Sequence, residues 1–354
     1  MRRLFLGLLI VIIGLPVLGL IYQAISVELD MRSYPPPGQM IDVGGYSLHI
    51  YCVGEGSPTV IMDSGLGGAS LDWALVQPDV AQTTRVCTFD RAGMGWSDVG
   101  PNPRDAQQIV GELHTLLTNA QIAPPYVMVG HSNGGLRIQL YAALYPDEVA
   151  GLVLVDPTDA HTIDEQLAFL SPEARAEVDE LMGQNGNQVA QDPAATFETI
   201  NLFVPFGVVR LLADTLLNET TPYPYLPPDV QPQYQAVMLR TPYLGAYIAE
   251  LRGIDASIQQ VRDTVTTFGD IPCVILLSTL PATFASRPPA DPDFGRVFEL
   301  MMPTRIGAME ATAALSSNGQ VVMAENSGHY IQIDRPDLVI GTIRDMVEGL
   351  RGNS

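Results

Sequence analysis

The residues that decide the fold are YVMVGHSNGG, at positions 126–135. The apolar start predicts a short buried strand, and the pattern G-x-S-x-G follows it at once, centred on Ser132. An amphipathic helix is predicted directly afterwards, because Leu136 and Leu140 recur at helical spacing. A sharp turn from strand to helix exposes a serine hydroxyl, provided that small residues such as Gly130 and Gly134 flank it. The pattern therefore predicts that Ser132 is a nucleophile.

Segments typical of strands and helices alternate on both sides of this stretch. Several strand candidates are continuous apolar runs, which is typical of parallel strands covered on both faces. The candidates are residues 46–53, 59–62, 85–89, 126–129, 151–155, 273–277 and 320–324. This alternation predicts an α/β fold with an open, mostly parallel central sheet flanked by helices.

The alternation stops between residues 159 and 270. The pattern there is helical and is interrupted by proline-rich turns, with no convincing strand. We predict an inserted helical cap at 159–270 that encloses a substrate, between two parts of a core at 39–158 and 271–354. The apolar and aromatic side chains of the cap suit an apolar substrate, although such residues at helical spacing also serve simply as packing.

The N-terminal segment is typical of a membrane anchor. Arg2 and Arg3 precede an uncharged apolar run that ends at Tyr22, long enough to span a hydrocarbon core. We predict a transmembrane helix at 1–22 and a linker at 23–38, with the remainder on the extracytoplasmic side of the membrane. The alternative is a cleaved signal peptide and a secreted protein. The length of the run and the lack of a clean small-x-small site favour retention.

Charge and cysteine content narrow the range of partners. A net charge of −21 without basic clusters argues against nucleic acid binding. The cysteines have no metal-ligand spacing, so we expect no metal site and no cofactor. Cys52 and Cys87 lie in strand patterns and are either a disulfide or two small buried residues, whereas Cys273 is a core residue. The expected partners are a small-molecule substrate and the membrane, and the oligomeric state stays open.

Several segments, taken in order, resemble those of α/β-hydrolase-fold proteins of the esterase and lipase type. DSGLG at 63–67 follows a strand as the family's oxyanion loop does, and DRAGMGWS at 90–97 resembles its D-R-x-G-x-G-x-S turn. SGH at 327–329 follows the last strand, like the family's histidine loop. The resemblance covers 44–350 apart from the cap. It also implies that the strands carrying Cys52 and Cys87 are neighbours, which favours the disulfide.

The resemblance implies a serine hydrolase. Of the five histidines, only His329 lies in the loop after the final strand, so it is the predicted general base for Ser132. Backbone N–H groups of Leu66 and Asn133 are the predicted oxyanion hole. The implied reaction is acyl transfer to water through an acyl-enzyme.

The acid of the triad departs from the family's usual pattern. The family commonly places it after the strand at 273–277, where this sequence has no carboxylate until Asp291. Asp156 ends an earlier strand, a position that haloalkane dehalogenases and some other relatives use. Asp156 is therefore the predicted acid, Asp291 the second choice and Asp159 a third. The alternative for Asp156 is a purely structural role, which aspartate at this strand end often has.

Other functions remain open. Esters are the expected substrates, while lactones, thioesters and amides fit the same chemistry. Epoxide hydrolases and dehalogenases of this fold need a carboxylate nucleophile where Ser132 stands. A C–C bond hydrolase, a perhydrolase, or a non-catalytic binding protein on the same scaffold is the alternative, and the unusual acid is the only support for the last.

Overall fold

The computed structural model describes residues 2–160, 163–189, 192–287 and 292–352. The described strands form one eight-stranded sheet in the order β1-β2-β4-β3-β5-β6-β7-β8. The strands are Gln39–Asp42 (β1), Ser47–Val53 (β2), Thr59–Asp63 (β3), Val86–Phe89 (β4), Tyr126–His131 (β5), Val149–Val155 (β6), Cys273–Ser278 (β7) and Gly319–Ala324 (β8). β1 and β2 pair antiparallel and β2 pairs antiparallel with β4, whereas every other neighbouring pair is parallel. The prediction of a mostly parallel sheet is confirmed.

Helices cover both faces of this sheet. The helices of the described residues, including those of the cap, are Arg2–Ser33 (α1), Gln77–Val80 (α2), Ala106–Asn119 (α3), Asn133–Leu144 (α4), Ile163–Ala168 (α5), Pro172–Val189 (α6), Pro193–Asn201 (α7), Val208–Leu211 (α8), Ala213–Thr220 (α9), Gln231–Met238 (α10), Tyr243–Arg252 (α11), Ile254–Thr264 (α12), Pro292–Ala313 (α13), Ile331–Asp334 (α14) and Pro336–Gly352 (α15). Met128 of β5 packs with the core that includes α3 and α4, while Val127 and Val129 pack with α15 on the other face. Both faces are buried, which explains the continuous apolar runs.

The segment between β6 and β7 is helical in the residues that the structure describes. Its last helix, α12, packs on the core rather than over the site. Ser257 of α12 accepts a hydrogen bond from the backbone N–H of Ala106 (2.9 Å), and Ile258 and Val261 join the sheet core. The structure therefore returns to the core before residue 270, because the apolar stripe of α12 continues the helical layer of α3 and α4.

Helix α1 extends beyond the predicted end of the anchor. The sequence predicts a linker over 23–38, whereas the structure is helical as far as Ser33. Residues 20–34 contain neither glycine nor proline, so nothing in them ends a helix before Pro35. The side chain of Gln23 is buried and donates to the carbonyl of Leu239 (3.0 Å). The last turns of α1 are therefore packed against the cap.

The pairing of the cysteines stays open in the sequence, and the first strand of the sheet has no signal there. Cys52 of β2 lies opposite Cys87 of β4, and the two form a disulfide. Cys273 is a free, buried thiol. The short strand β1 was not predicted, because its four residues are mostly exposed and carry no apolar alternation.

Candidate active site

The turn from β5 to α4 places Ser132 at the carboxyl edge of the sheet. Its backbone has φ 53° and ψ −122°, a conformation that non-glycine residues rarely adopt. A Cβ on Gly130 would lie 2.5 Å from the carbonyl oxygen of Gly134, and a Cβ on Gly134 would lie 2.5 Å from that of Asp63. Only glycine fits at these two positions, as the G-x-S-x-G pattern predicts.

Asp156 follows β6 directly and faces the histidine loop. Its Oδ2 lies 2.6 Å from Nδ1 of His329. Its Oδ1 accepts hydrogen bonds from the backbone N–H of Ser278 (2.8 Å) and from Nη2 of Arg305 (2.6 Å). The backbone of Asp156 has φ 44°, and its N–H donates to Leu276 at 2.8 Å. Both carboxylate oxygens of Asp156 therefore have hydrogen-bond partners that fix their position.

The environment of Asp156 keeps it ionised. The side chain is buried, and burial alone would favour the neutral acid. The positive charge of Arg305, followed by the hydrogen bond with His329, outweighs burial and holds the pKa of Asp156 well below its usual range. A carboxylate fixed in this state can orient the imidazole of His329 and stabilise its protonated form.

His131 links the histidine loop to the residue before Ser132. Its Nε2 lies 3.0 Å from the carbonyl oxygen of His329, and the two rings are 4.7 Å apart. Burial, followed by the proximity of His329, lowers the pKa of His131 to about 3, so the ring is neutral. Because a carbonyl only accepts, Nε2 is the nitrogen that carries the hydrogen. His131 therefore holds the loop in place as a hydrogen-bond donor.

The remaining histidines lie elsewhere. His49 is buried and pairs with Asp90 at 2.8 Å, which secures the turn at 90–97. His114 stacks on Tyr145 and lies 3.2 Å from Glu148. His161 and Asp291 both lie outside the described residues.

The predicted oxyanion loop lies against the nucleophile. A Cβ on Gly65 would lie 3.1 Å from Cβ of Ser132. Leu66 is therefore adjacent to the turn between β5 and α4, which we call the serine elbow. Asn133 is the first residue of α4, and its side chain accepts a hydrogen bond from the hydroxyl of Thr158 (2.6 Å). Gly65 and Asn133 are thus both close to Ser132, and the role of the Leu66 and Asn133 N–H groups as an oxyanion hole stays a prediction.

A buried group of four charged side chains supports this loop. Asp63 pairs with Arg91 (3.0 Å) and with Arg137 (2.6 Å), and Arg91 also pairs with Glu250 of α11 (2.7 Å). The two arginines balance the two carboxylates, which is the condition for keeping charges in an apolar interior. The guanidinium of Arg91 also donates to the carbonyl of Gly65 (2.8 Å). The loop backbone is thus fixed before any substrate arrives.

Sequence reasoning missed two members of the site. Arg305 and Glu250 contact partners that are 149 and 159 residues away along the chain. Nothing in their local patterns distinguishes them from surface residues of amphipathic helices. Two members of the buried charged group carried a signal, Arg91 through the DRAGMGWS turn at 90–97 and Asp63 through DSGLG at 63–67.

A cavity of about 330 Å³ lies under the cap beside the oxyanion loop. Leu66, Gly67 and Tyr330 are among the residues that line it. Most of its other wall residues are apolar or aromatic and come from the cap, among them Phe197, Ile200, Val204, Leu217, Met238 and Leu244. Its size and apolar wall are typical of a small-molecule site. Across the described ranges, no group of three or more His, Cys, Asp or Glu side chains is arranged to hold a metal ion.

Comparisons with known proteins agree with this geometry. A family model described as alpha/beta hydrolase fold matches residues 58–196. An AB hydrolase superfamily protein of Gibberella zeae is 23% identical over 317 residues, covering 83% of this chain and 87% of that protein. The human (lyso)-N-acylphosphatidylethanolamine lipase is 33% identical over 101 residues, which are 28% of this chain and 30% of the lipase.

Among solved structures, the enol-lactonase of Burkholderia xenovorans has a TM-score of 0.57 at 20% identity, with 88% of this chain and 100% of the lactonase covered. Four further curated relatives match over only 18–49% of their own lengths. Sheet order, the turn at Ser132 and the matches to known proteins agree: the chain has the α/β-hydrolase fold.

Proposed function

We propose that this chain is a membrane-anchored serine hydrolase that cleaves an ester-type bond of a small, apolar substrate. The observation that carries the proposal is the contact of 2.6 Å between Nδ1 of His329 and Oδ2 of Asp156, beside a serine with positive φ. A histidine oriented by a buried carboxylate is the kind of base that activates a serine.

The proposed reaction uses these groups in turn. His329 accepts the proton of Ser132 through Nε2, because Nδ1 faces Asp156. The hydroxyl oxygen attacks the carbonyl carbon, and the N–H groups of Leu66 and Asn133 stabilise the oxyanion. His329 then returns the proton to the departing alcohol, and a water molecule releases the acid from Ser132 by the same steps.

The apolar cavity and the names of the relatives support an ester-type substrate. The cap supplies most of the cavity wall, and an acyl chain is an apolar group that such a wall would accommodate. The relatives include proteins named as a lipase and as an enol-lactonase. Ser132 at the elbow also argues against epoxide hydrolysis, for which this fold uses a carboxylate nucleophile.

Helix α1 supports the membrane part of the proposal. Residues Ile13–Ser33 form the described helix that is long and apolar enough to cross a membrane, although a signal sequence meets the same criterion. Retention is favoured because α1 packs on the folded cap. Asp30 pairs with Arg210 at 2.6 Å, and Gln23 is buried against Leu239. The disulfide is consistent with a domain on the extracytoplasmic side.

The triad is tested on the detergent-solubilised full chain with p-nitrophenyl esters and a fluorophosphonate label. Ser132→Ala should abolish both turnover and labelling. Asp156→Asn should lower turnover by about 10³- to 10⁴-fold, because the amide no longer holds the imidazole in the required tautomer. Asp159→Asn, Asp291→Asn and Ser171→Ala are the matched controls and should stay near wild type. A folded wild type that neither turns over esters nor takes the label would leave a binding protein on this scaffold.

Retention of α1 is tested separately. Mass spectrometry of the protein extracted from membranes should find peptides from residues 1–22. Their absence, with a new N-terminus near residue 24, would show that the segment is a cleaved signal and would overturn the anchor while leaving the triad untouched.

A further inference from the structure

One part of the cap exposes an unusual amount of apolar surface. Six large apolar side chains within residues 202–216 are between 37% and 73% exposed. We call them the apolar cap face: Leu202, Phe203, Val208, Leu211, Leu212 and Leu216. A soluble surface rarely keeps such a cluster uncovered, and a cluster of this kind marks an interaction site. The basic residue of the segment, Arg210, is already paired with Asp30 of α1.

The apolar cap face is continuous with the exposed apolar surface of α1. A Cβ on Gly19 would lie 2.5 Å from the carbonyl oxygen of Phe206, and a Cβ on Gly207 would lie 2.6 Å from the ring of Tyr22. The two backbones therefore touch where α1 still exposes apolar side chains, such as Leu18 and Ile21.

The position of this contact along α1 sets its depth. A helix rises about 1.5 Å per residue, so Gly19 lies roughly 22 Å from the start of the apolar run at Leu4. The hydrocarbon core of a bilayer is about 30 Å thick. If the run from Leu4 to Tyr22 spans the core, the cap meets α1 within the outer part of the membrane.

The same cap segment forms a wall of the cavity. Val204, Val209 and Leu216 line it, and α1 itself contributes Gln23. Leu66 and Gly67 of the oxyanion loop line the same cavity. The cavity is thus bounded both by the loop beside Ser132 and by the segment that carries the apolar cap face.

We infer that the apolar cap face is seated in the outer leaflet of the bilayer, and that the cavity takes its substrate, an apolar acyl ester dissolved among the lipids, directly from that leaflet. This inference rests on the proposed function for the ester and for the anchor. A bilayer is favoured over a protein partner because the face continues the surface of a helix that is itself apolar enough to lie in lipid.

Membrane contact is tested with the full chain in phosphatidylcholine vesicles. A nitrobenzoxadiazole label on Leu211→Cys reports the cap face, and one on Leu144→Cys is the control, a partly exposed leucine at the far end of α4. The native cysteines do not compete, because Cys52 and Cys87 are bonded to each other and Cys273 is buried. We expect doxyl-lipid to quench the label at 211 strongly and the label at 144 weakly.

Two results would overturn the inference. Equal, weak quenching by doxyl-lipid at both positions, with free access of iodide to the label at 211, means that the face is in water. A label at 211 that is protected from both quenchers means that a second copy of the chain or another protein covers the face.

Measurements of activity provide a second test of the inference. The double variant Leu211→Asp, Leu212→Asp should lower turnover of a long-chain ester in the vesicle by at least about tenfold. Charged side chains are unfavourable in the acyl layer, so the cap face would move out of the membrane and away from the ester. Turnover of water-soluble p-nitrophenyl acetate should change little, since neither leucine lines the cavity. Leu144→Asp is the control. Equal effects on both esters, or none, would overturn the inference. A wild type inactive on both would refute the proposed hydrolase, and quenching would still decide the membrane contact.

Discussion

The guanidinium of Arg305 donates a hydrogen bond of 2.6 Å to Oδ1 of Asp156, the carboxylate whose other oxygen lies 2.6 Å from His329. Arg305 is on α13, and its other hydrogen bonds go to the carbonyl and the hydroxyl of Ser278. Its effect on the site passes through the charge and position of Asp156. We therefore regard Arg305 as a positioning residue of the proposed triad.

Replacing Arg305 should change the pH dependence of the reaction. In Arg305→Gln the main influence that lowers the pKa of Asp156 is gone, so this pKa rises towards and above its ordinary value of about 3.9. Protonated Asp156 no longer stabilises the imidazolium, so kcat/KM should fall most at the acid end of the profile. At pH 8, where Asp156 is still ionised, the loss should be within about tenfold.

The measurement is kcat/KM for a p-nitrophenyl ester between pH 5 and 9. Arg296→Gln is the matched control, since Arg296 lies on the same helix but is exposed and pairs with Glu177. A loss of equal size at every pH would mean that Arg305 only supports the fold.

The sequence predicted the parts of the site that depend on local geometry. The strand, Ser132 and the helix are consecutive in the chain, so the glycine spacing alone indicates the elbow. His329 was predicted from its place after the last strand. The triad itself stays a proposal, but the contact of Asp156 with His329 is the one that the resemblance to relatives with an acid at this strand end led us to expect.

The parts that escaped prediction depend on contacts between distant segments. Glu250 reaches Arg91 only because α11 packs over the oxyanion loop, and no local pattern reveals that packing. The last turns of α1 are fixed by contacts with the cap: Gln23 donates to the carbonyl of Leu239, and Asp30 pairs with Arg210. A sequence pattern places residues on the faces of helices, but it does not identify the helix that each face meets.

Removing one carboxylate from the buried charged group should destabilise the oxyanion loop. Glu250→Gln leaves two buried arginines, Arg91 and Arg137, with the single carboxylate of Asp63, and one uncompensated charge in the interior typically costs about 3–5 kcal/mol. We expect a lower Tm and a fall in kcat/KM, because Arg91 also holds the carbonyl of Gly65. Glu198→Gln, which breaks an exposed pair with Arg252, is the control.

Thermal unfolding and ester turnover of the two variants provide the comparison. If Glu250→Gln unfolds at the wild-type temperature and keeps full activity, the buried group neither stabilises the loop nor contributes to the site.

The disulfide between Cys52 and Cys87 should contribute strongly to stability. It closes a sequence separation of 35 residues, for which restriction of the unfolded chain predicts about 4 kcal/mol. The double variant Cys52→Ala, Cys87→Ala should therefore have a lower Tm than wild type. Reductant should lower the Tm of the wild type and leave that of the variant unchanged. If thiol titration shows that the disulfide is fully reduced and the Tm of the wild type is still unchanged, the bond does not stabilise the domain.

Asp72 should make the stability of the fold depend on pH. Its side chain is buried, and a Cβ on Gly68 would overlap its Oδ2. Burial raises the pKa of Asp72 to about 7. Because this pKa is above that of the unfolded chain, the neutral acid is favoured on folding. Its stability contribution is present below about pH 4 and is lost as pH rises through about 7.

Asp72→Asn removes this loss, because the amide does not ionise. Relative to wild type, the variant should become more stable from pH 4.5 to 8.5, by as much as about 4 kcal/mol at the upper end. Denaturant unfolding at several pH values measures the difference, with the exposed Asp79→Asn as the control. A constant difference between variant and wild type across this range would show that Asp72 does not change its protonation on folding, and that another feature of its surroundings compensates for its burial.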